Sequence, residues 1–187
     1  MGATRLIIVT GLPGAGKSTL ARELARALHV TLLGKDMIKE PLLDVLGAGD
    51  RSHSRHLSDA SFAVLFALAR TVLAQGMNSL ILEGNFRSAE HEPAILQLLP
   101  PGAQPRSALT QVLCRLAEPA RLARLGLRTS DPARHPGHQD GALRANRPAD
   151  GGIFLDLPGR RIALDTDGPA ARCTEFASQL AAALHTP

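Results

Sequence analysis

An apolar run, "RLIIVT" (5–10), passes directly into "GLPGAGKST" (Gly11–Thr19) and then into a helical pattern. No other stretch narrows the possible folds as much. The run has no polar face, as a strand buried on both sides requires. Beyond the glycines, Leu20, Leu24, Ala27 and Leu28 recur at helical spacing. Gly11, Gly16, Lys17 and Ser18 fit G-x-x-x-x-G-K-[ST], and a preceding strand with a following helix is the context that motif needs. Glycines let backbone N–H groups converge on an anion without a Cβ in the way. The helix start adds its positive end. In such a cradle the lysine, Lys17, reaches the β- and γ-phosphates and the Ser18 hydroxyl ligates Mg²⁺. A site for ATP or GTP is therefore expected from Gly11, Pro13, Gly14, Ala15, Gly16, Lys17, Ser18 and Thr19.

The rest of the chain alternates the same two patterns. Strands are expected at 31–34, 79–85, 108–114 and 161–166. Helices are expected at 36–47, 56–76, 89–99 with Ser88 as cap, 118–128 with Pro119 at its start, and 169–184. Pro41 is tolerable only near the first turns of its helix or at a kink, 47–55 reads as a polar loop, and 56–76 reads as deeply packed. Alternation of this kind predicts parallel β-α-β units and an α/β fold with helices on both faces of one sheet. All 187 residues read as one domain. The polar, Pro- and Gly-rich stretch 129–152 has no apolar period, and with the preceding helix it forms a lid over roughly 118–150.

Composition excludes several classes. Apolar residues make up 44% of the chain, so it folds rather than staying disordered. There is no Trp or Tyr and there are five Phe, so stacking platforms for nucleic-acid bases are scarce. The net charge is +4, and every cation except Lys17, Lys35 and Lys39 is arginine, the residue suited to bidentate phosphate contact. Cys114 and Cys173 form no framework and fit a reduced compartment. No run approaches the ~20 apolar residues of a membrane span, and the N-terminus is taken up by strand and loop rather than by a signal peptide. A cytoplasmic protein, monomer or homodimer, is expected.

Acceptor chemistry is sought at the C-terminal ends of the strands, where parallel sheets bind ligands. Asp36 follows the second strand in "LLGKD". A carboxylate there takes the proton of a hydroxyl attacking the γ-phosphoryl group, or it caps the helix that follows. Glu83 ends the third strand in "LILEGNFR". It holds Mg²⁺ through water, or with Asn85 it orients the acceptor. Arg87 pairs with an acceptor or sits solvated at a helix entry. Arg124 and Arg128 are four apart and share a helix face, from which a closing lid would bring them over the γ-phosphate. Arg121 fits a solvated position better. In "RHPGH", His135 and His138 lack further ligands at matched spacing for zinc, so the segment reads as a lid turn with Arg134 as a phosphate contact. The candidate catalytic set is Lys17, Asp36, Arg124 and Arg128.

Together "GLPGAGKSTLARELA", "GKD", "LEGNFR", the Arg124/Arg128 pair leading into "RHPGH", and "LDT" (164–166) resemble the bacterial AAA-type P-loop kinases. These are relatives of chloramphenicol phosphotransferase, gluconate kinase, shikimate kinase and the adenylate-kinase-like proteins. The resemblance runs from about residue 5 to 185. It implies a three-layer fold with a five-stranded parallel sheet in the order 2-3-1-4-5, a mobile lid, and ATP with Mg²⁺. It also implies that Asp36 is the base or an acceptor clamp, and that adenine rests between the lid-bearing helix and the loop near Asp165 to Gly168. One departure is that Glu83 stands where the pattern has Asp.

Three functions compete on these residues. The first is a kinase that phosphorylates a hydroxyl of a small molecule, metabolite or antibiotic, with a medium-sized, partly apolar acceptor pocket from the 36–66 helices. The second is a polynucleotide 5′-hydroxyl kinase, favoured by charge but opposed by the lack of stacking residues and of a lysine stripe. The third is a regulatory nucleotide-binding ATPase, for which no sensor element or partner domain is visible. The first accounts for the most residues.

Overall fold

The computed structural model describes residues 5–77, 79–102, 104, 108–132, 135, 137–138, 152–168 and 171–185. Five strands, β1 (Arg5–Gly11), β2 (Thr31–Gly34), β3 (Ser79–Glu83), β4 (Leu109–Arg115) and β5 (Arg160–Asp165), form one sheet in the order β2-β3-β1-β4-β5. Every neighbouring pair is parallel. This is the expected order. It puts β1, and therefore the glycine loop after it, in the middle of the sheet.

The strands feed two cores because successive side chains point to opposite faces. Leu6 and Ile8 of β1 pack on one face with Leu80, Leu82 and Leu109 and with Phe62, Leu65 and Phe66 of α3 (Arg51–Ala74). Ile7 and Val9 pack on the other with Leu20 and Leu24 of α1 (Lys17–Leu28) and with Ala177 and Leu180 of α6 (Ala171–His185). The remaining helices are α2 (Lys35–Leu46), α4 (Ser88–Leu96) and α5 (Glu118–Thr129). The result is three layers with helices on both faces.

Several local expectations are corrected. The loop before α3 is short, because Asp50 caps that helix by accepting a hydrogen bond from the His53 N–H at 2.9 Å. α3 buries one face rather than most of its surface; Val64 and Leu68 are exposed. By length and composition alone it could cross a membrane, contrary to the sequence estimate, yet its Phe62–Leu65–Phe66 face is taken up by the sheet core. Pro41 lies inside α2 rather than at its start. Ser88 is the first residue of α4 and Arg87 is its cap; the Arg87 N–H donates to His91 Nδ1 at 2.8 Å.

His91 is buried and its ring lies 3.9 Å from that of Phe62, centroid to centroid, with Phe66 and Phe86 close by. Burial, reinforced by the Arg87 charge, pulls its pKa down to about 4. The neutral ring is the form that accepts from the Arg87 N–H. A depressed pKa means that this stabilisation is complete above the unfolded value near 6.5 and is lost as pH falls through the folded value. Stability is therefore expected to drop by about 3 kcal/mol between pH 6.5 and pH 4 through this residue. In urea unfolding at several pH values, His91→Gln should flatten that slope; an unchanged slope would refute the assignment.

Candidate active site

β1 delivers the chain to the cradle at Gly11, which pairs with Cys114 of β4. Gly11 has φ 142°, and a Cβ there would lie 2.5 Å from the Cys114 carbonyl oxygen, so only glycine fits. Gly16, with φ 79°, is the N-cap of α1 and offers no side-chain oxygen. The first-turn N–H groups of α1 are thus left to an external acceptor. The loop between is held by its carbonyls. Leu12 O accepts from Lys17 Nζ at 3.0 Å and from the Ala15 N–H at 3.1 Å. Pro13 O accepts from Arg121 Nη1 at 3.3 Å, and Ala15 O accepts from the Thr166 hydroxyl at 2.9 Å.

Lys17 and Glu83 form the electrostatic centre. Burial pushes the Lys17 ammonium pKa down, and the Glu83 carboxylate opposes that shift. Burial likewise pushes Glu83 up, with Lys17 opposing. The nearby Ser18 hydroxyl, like Lys17, favours the Glu83 carboxylate against burial. Glu83 sits opposite Val9 of β1 and Gly34 of β2, and its Oε2 lies 3.2 Å from where a Gly34 Cβ would stand. Absence of that Cβ gives the carboxylate its room. A hydroxyl and a carboxylate side by side are the hard oxygen donors Mg²⁺ takes, so Ser18 and Glu83 fit the ion that the fold implies. Thr19 lies partly exposed in the first turn of α1.

Asp36 lies within the first turn of α2, two residues past the end of β2, and Gly34 is the cap. Its charge acts on both Lys17 and Glu83. Lys35, which the sequence reading passed over, is buried and places Nζ 2.7 Å from Asp36 Oδ1. A lysine directly before the candidate base was a signal that went unused. One turn on, buried Lys39 donates to Ser54 Oγ at 2.9 Å and Ser58 Oγ at 3.1 Å. Beside Asp36 the α2–α3 contact thus has polar pairs, while Ile38 of α2 packs against the core that holds Phe62 and Phe66.

On the other flank, α5 packs against the loop. A Cβ on Gly14 would lie 3.1 Å from Leu125 Cγ and 3.3 Å from Arg121 O. Arg121 is only 1% exposed, which overturns its reading as solvated: it donates to both Glu118 oxygens at 2.9 and 2.8 Å as well as to Pro13 O. Arg124 reaches Thr166 O at 2.7 Å, with Nη1 3.6 Å from a Cβ built on Gly16. Arg128 is partly buried one turn further on. Thr166, from the "LDT" segment, bridges Ala15 O and Arg115 O and is a site-building residue that sequence reasoning did not single out.

Asn85 is exposed after β3. Arg87 is engaged within the protein, by Asp59 at 2.9 Å and Glu90 at 2.6 Å, rather than solvated. Arg134 lies outside the described residues. His135 and His138 pack on α2: Nε2 of His135 is 2.9 Å from Asp44 Oδ1, and Nε2 of His138 is 2.8 Å from Glu40 Oε1.

The site and sheet together define a P-loop kinase fold. A family model described as "AAA domain" matches residues 6–137, and the chain belongs to that family. A candidate kinase from Chloroflexus aurantiacus J-10-fl is 32% identical, with 95% of this chain and 98% of that one aligned at a TM-score of 0.78. The Mycobacterium tuberculosis APS kinase, solved with AMPPNP and APS, aligns over 100% of both chains at a TM-score of 0.60 and 17% identity, a likeness of fold alone. A shikimate kinase from Corynebacterium glutamicum is 51% identical over 35 residues, which span 19% of this chain and 21% of that enzyme.

Arg121→Met should test how the cradle is held. It keeps the apolar stem but removes the donor to Pro13 O and the bidentate bond to Glu118. A loss of about 2–3 kcal/mol in urea unfolding is expected; a change under 0.5 kcal/mol would place the support of the loop elsewhere.

Proposed function

We propose that the chain is a kinase that transfers the γ-phosphoryl group of ATP, bound with Mg²⁺, to a hydroxyl of a small molecule. The single observation that carries this is the convergence of Lys17, Glu83 and Asp36, from three separate elements, at the mouth of the glycine cradle. A nucleotide-binding switch needs the first two; a carboxylate on the acceptor side is what group transfer adds. The near-full-length candidate kinase at 32% identity and the short shikimate kinase match support the reading.

Mg²⁺, held by Ser18 and Glu83, neutralises charge on the phosphates when bound. Lys17 carries the β- and γ-phosphate oxygens, and the α1 N-terminus receives their remaining charge. Asp36 accepts the proton of the acceptor hydroxyl as its oxygen bonds to the γ-phosphorus and the bond to the ADP oxygen breaks. The Lys35 ammonium, 2.7 Å from Oδ1, orients Asp36 for that transfer. Arg124 and Arg128, on one face of the lid helix, stabilise the transferring group, with adenine seated between α5 and the Asp165–Gly168 loop.

Isothermal titration with ATP and GTP, each with and without Mg²⁺, should show one nucleotide binding and Lys17→Ala abolishing it. No binding of either nucleotide would end the kinase reading. Asp36→Asn should retain nucleotide affinity but lower phosphorylation of an acceptor found by screening by ~10²–10⁴-fold; unchanged turnover would remove Asp36 as the base.

A further inference from the structure

We infer that Asp36, Glu40 and His138 form a binding site for a first-row divalent cation of the Zn²⁺ class, separate from the Ser18–Glu83 pair. One ligand atom from each of the three lies within 4.8 Å of the other two. Asp36 and Glu40 are four apart on α2 and share a face. His138 arrives from 98 residues further along the chain, and none of the three is fully exposed. Sequence spacing around the two histidines offered no ligand set because the other two ligands come from α2.

A second, independent feature places the imidazole. His135, Gly137 and His138 are docked on α2. The Gly137 N–H donates to His135 Nδ1 at 3.0 Å and the His138 N–H to His135 O at 3.2 Å. His135 is clamped to Asp44, two turns along the same helix. A Cβ on Gly137 would stand 2.8 Å from Leu43 Cδ1, so the turn lies directly against α2. The residues that carry the ring to Glu40 are therefore also held against α2 at Asp44 and Leu43. Outside the ligand set, Lys35 Nζ holds Asp36 Oδ1 at 2.7 Å, the kind of outer contact that orients a ligating carboxylate.

The donor set selects the ion. Two carboxylates neutralise a dication, and the imidazole nitrogen favours Zn²⁺, Ni²⁺ or Co²⁺ over Mg²⁺, which takes oxygen donors. The cation takes the place of the direct contact between His138 Nε2 and Glu40 Oε1 and leaves a position for water. Occupancy ties the 135–138 turn to α2. Where the kinase reading holds, it also withdraws the Asp36 carboxylate from proton transfer; that consequence rests on the reading, and the binding does not.

ZnCl₂ titrated calorimetrically into the full chain without nucleotide should show one equivalent bound. His138→Gln and Glu40→Gln should each weaken it tenfold or more, and His56→Gln, an exposed histidine of α3, should leave it unchanged. Zn²⁺ at a hundredfold excess over Kd should raise the melting temperature by about 5 °C or more in the parent chain and in His56→Gln only. Absence of saturable binding, equal binding in His138→Gln and Glu40→Gln, or displacement by equimolar Mg²⁺ would overturn the site. Melting without metal shows whether each variant is folded, and either of the two suffices. Slowing of phosphoryl transfer by Zn²⁺ to the same extent in the parent chain and His138→Gln would overturn the consequence for Asp36. A failed nucleotide titration and a failed Zn²⁺ titration are separate results, since neither ligand is present in the other experiment.

Discussion

The pairing of a half-buried lysine with a buried glutamate at the head of the central strand is the constraint on which the rest of the structure depends. Neither Lys17 nor Glu83 is comfortable alone, since burial drives one toward its neutral amine and the other toward its neutral acid. Their mutual attraction offsets part of that cost. To bring them together, β1 must lie beside β3 so that Val9 faces Glu83, and β2 must end in a residue without a side chain. Sheet order, the Gly34 position and the start of α1 follow from one electrostatic requirement. On the proposed function, an entering polyphosphate with its cation supplies charge of both signs to a pair that burial has left under-compensated.

A cradle of this kind works only if it is open before the ligand arrives, because ordering a flexible loop at binding would cost affinity. Here the loop is suspended by its carbonyls. Leu12, Pro13 and Ala15 accept from Lys17, Arg121 and Thr166, which belong to α1, α5 and the segment after β5. Arg121 is an expensive residue to bury, and its bidentate bond to Glu118 leaves one further N–H to reach Pro13 O. That same helix carries Arg124 and Arg128. Support of the loop and the cations on α5 are thus mechanically joined, and motion of α5 would be felt at Pro13 and Gly14.

The sequence made the sheet legible because each strand is a short, nearly continuous apolar run between breakers, and a motif of fixed spacing located the first of them. Legibility failed where a residue's role depends on a partner distant in the chain. Arg121 reads as one more charge on a helix face until Pro13, 108 residues earlier, is seen to accept from it. Lys35 and Lys39 were given no role from the sequence and turn out to be buried beside Asp36 and two serines of α3. Thr166 has a local signature too small to notice, one hydroxyl after a strand. The start of α3 was missed for a different reason: Asp50 is a capping residue, but the polar turns after it hid the helical period.

The two halves of the candidate site are built differently, and the difference bears on specificity. The phosphate side is formed by backbone, glycines and one lysine, all fixed by the central strands, and so reads charge rather than shape. The other side is formed by side chains from the first turns of α2, by α3 through the Ser54, Ser58 and Asp59 contacts, and by the 135–138 turn leaning on α2. These elements touch the sheet less than they touch one another. Substitutions there can change what is recognised without disturbing the Lys17–Glu83 centre, because no hydrogen bond described above runs from that side to the glycine loop. Asp36 is where the halves meet: it is carried by α2, held by Lys35, and felt electrostatically by Lys17 and Glu83. Whatever occupies its carboxylate, proton, acceptor hydroxyl or metal ion, therefore reports the state of the acceptor side to the phosphate side.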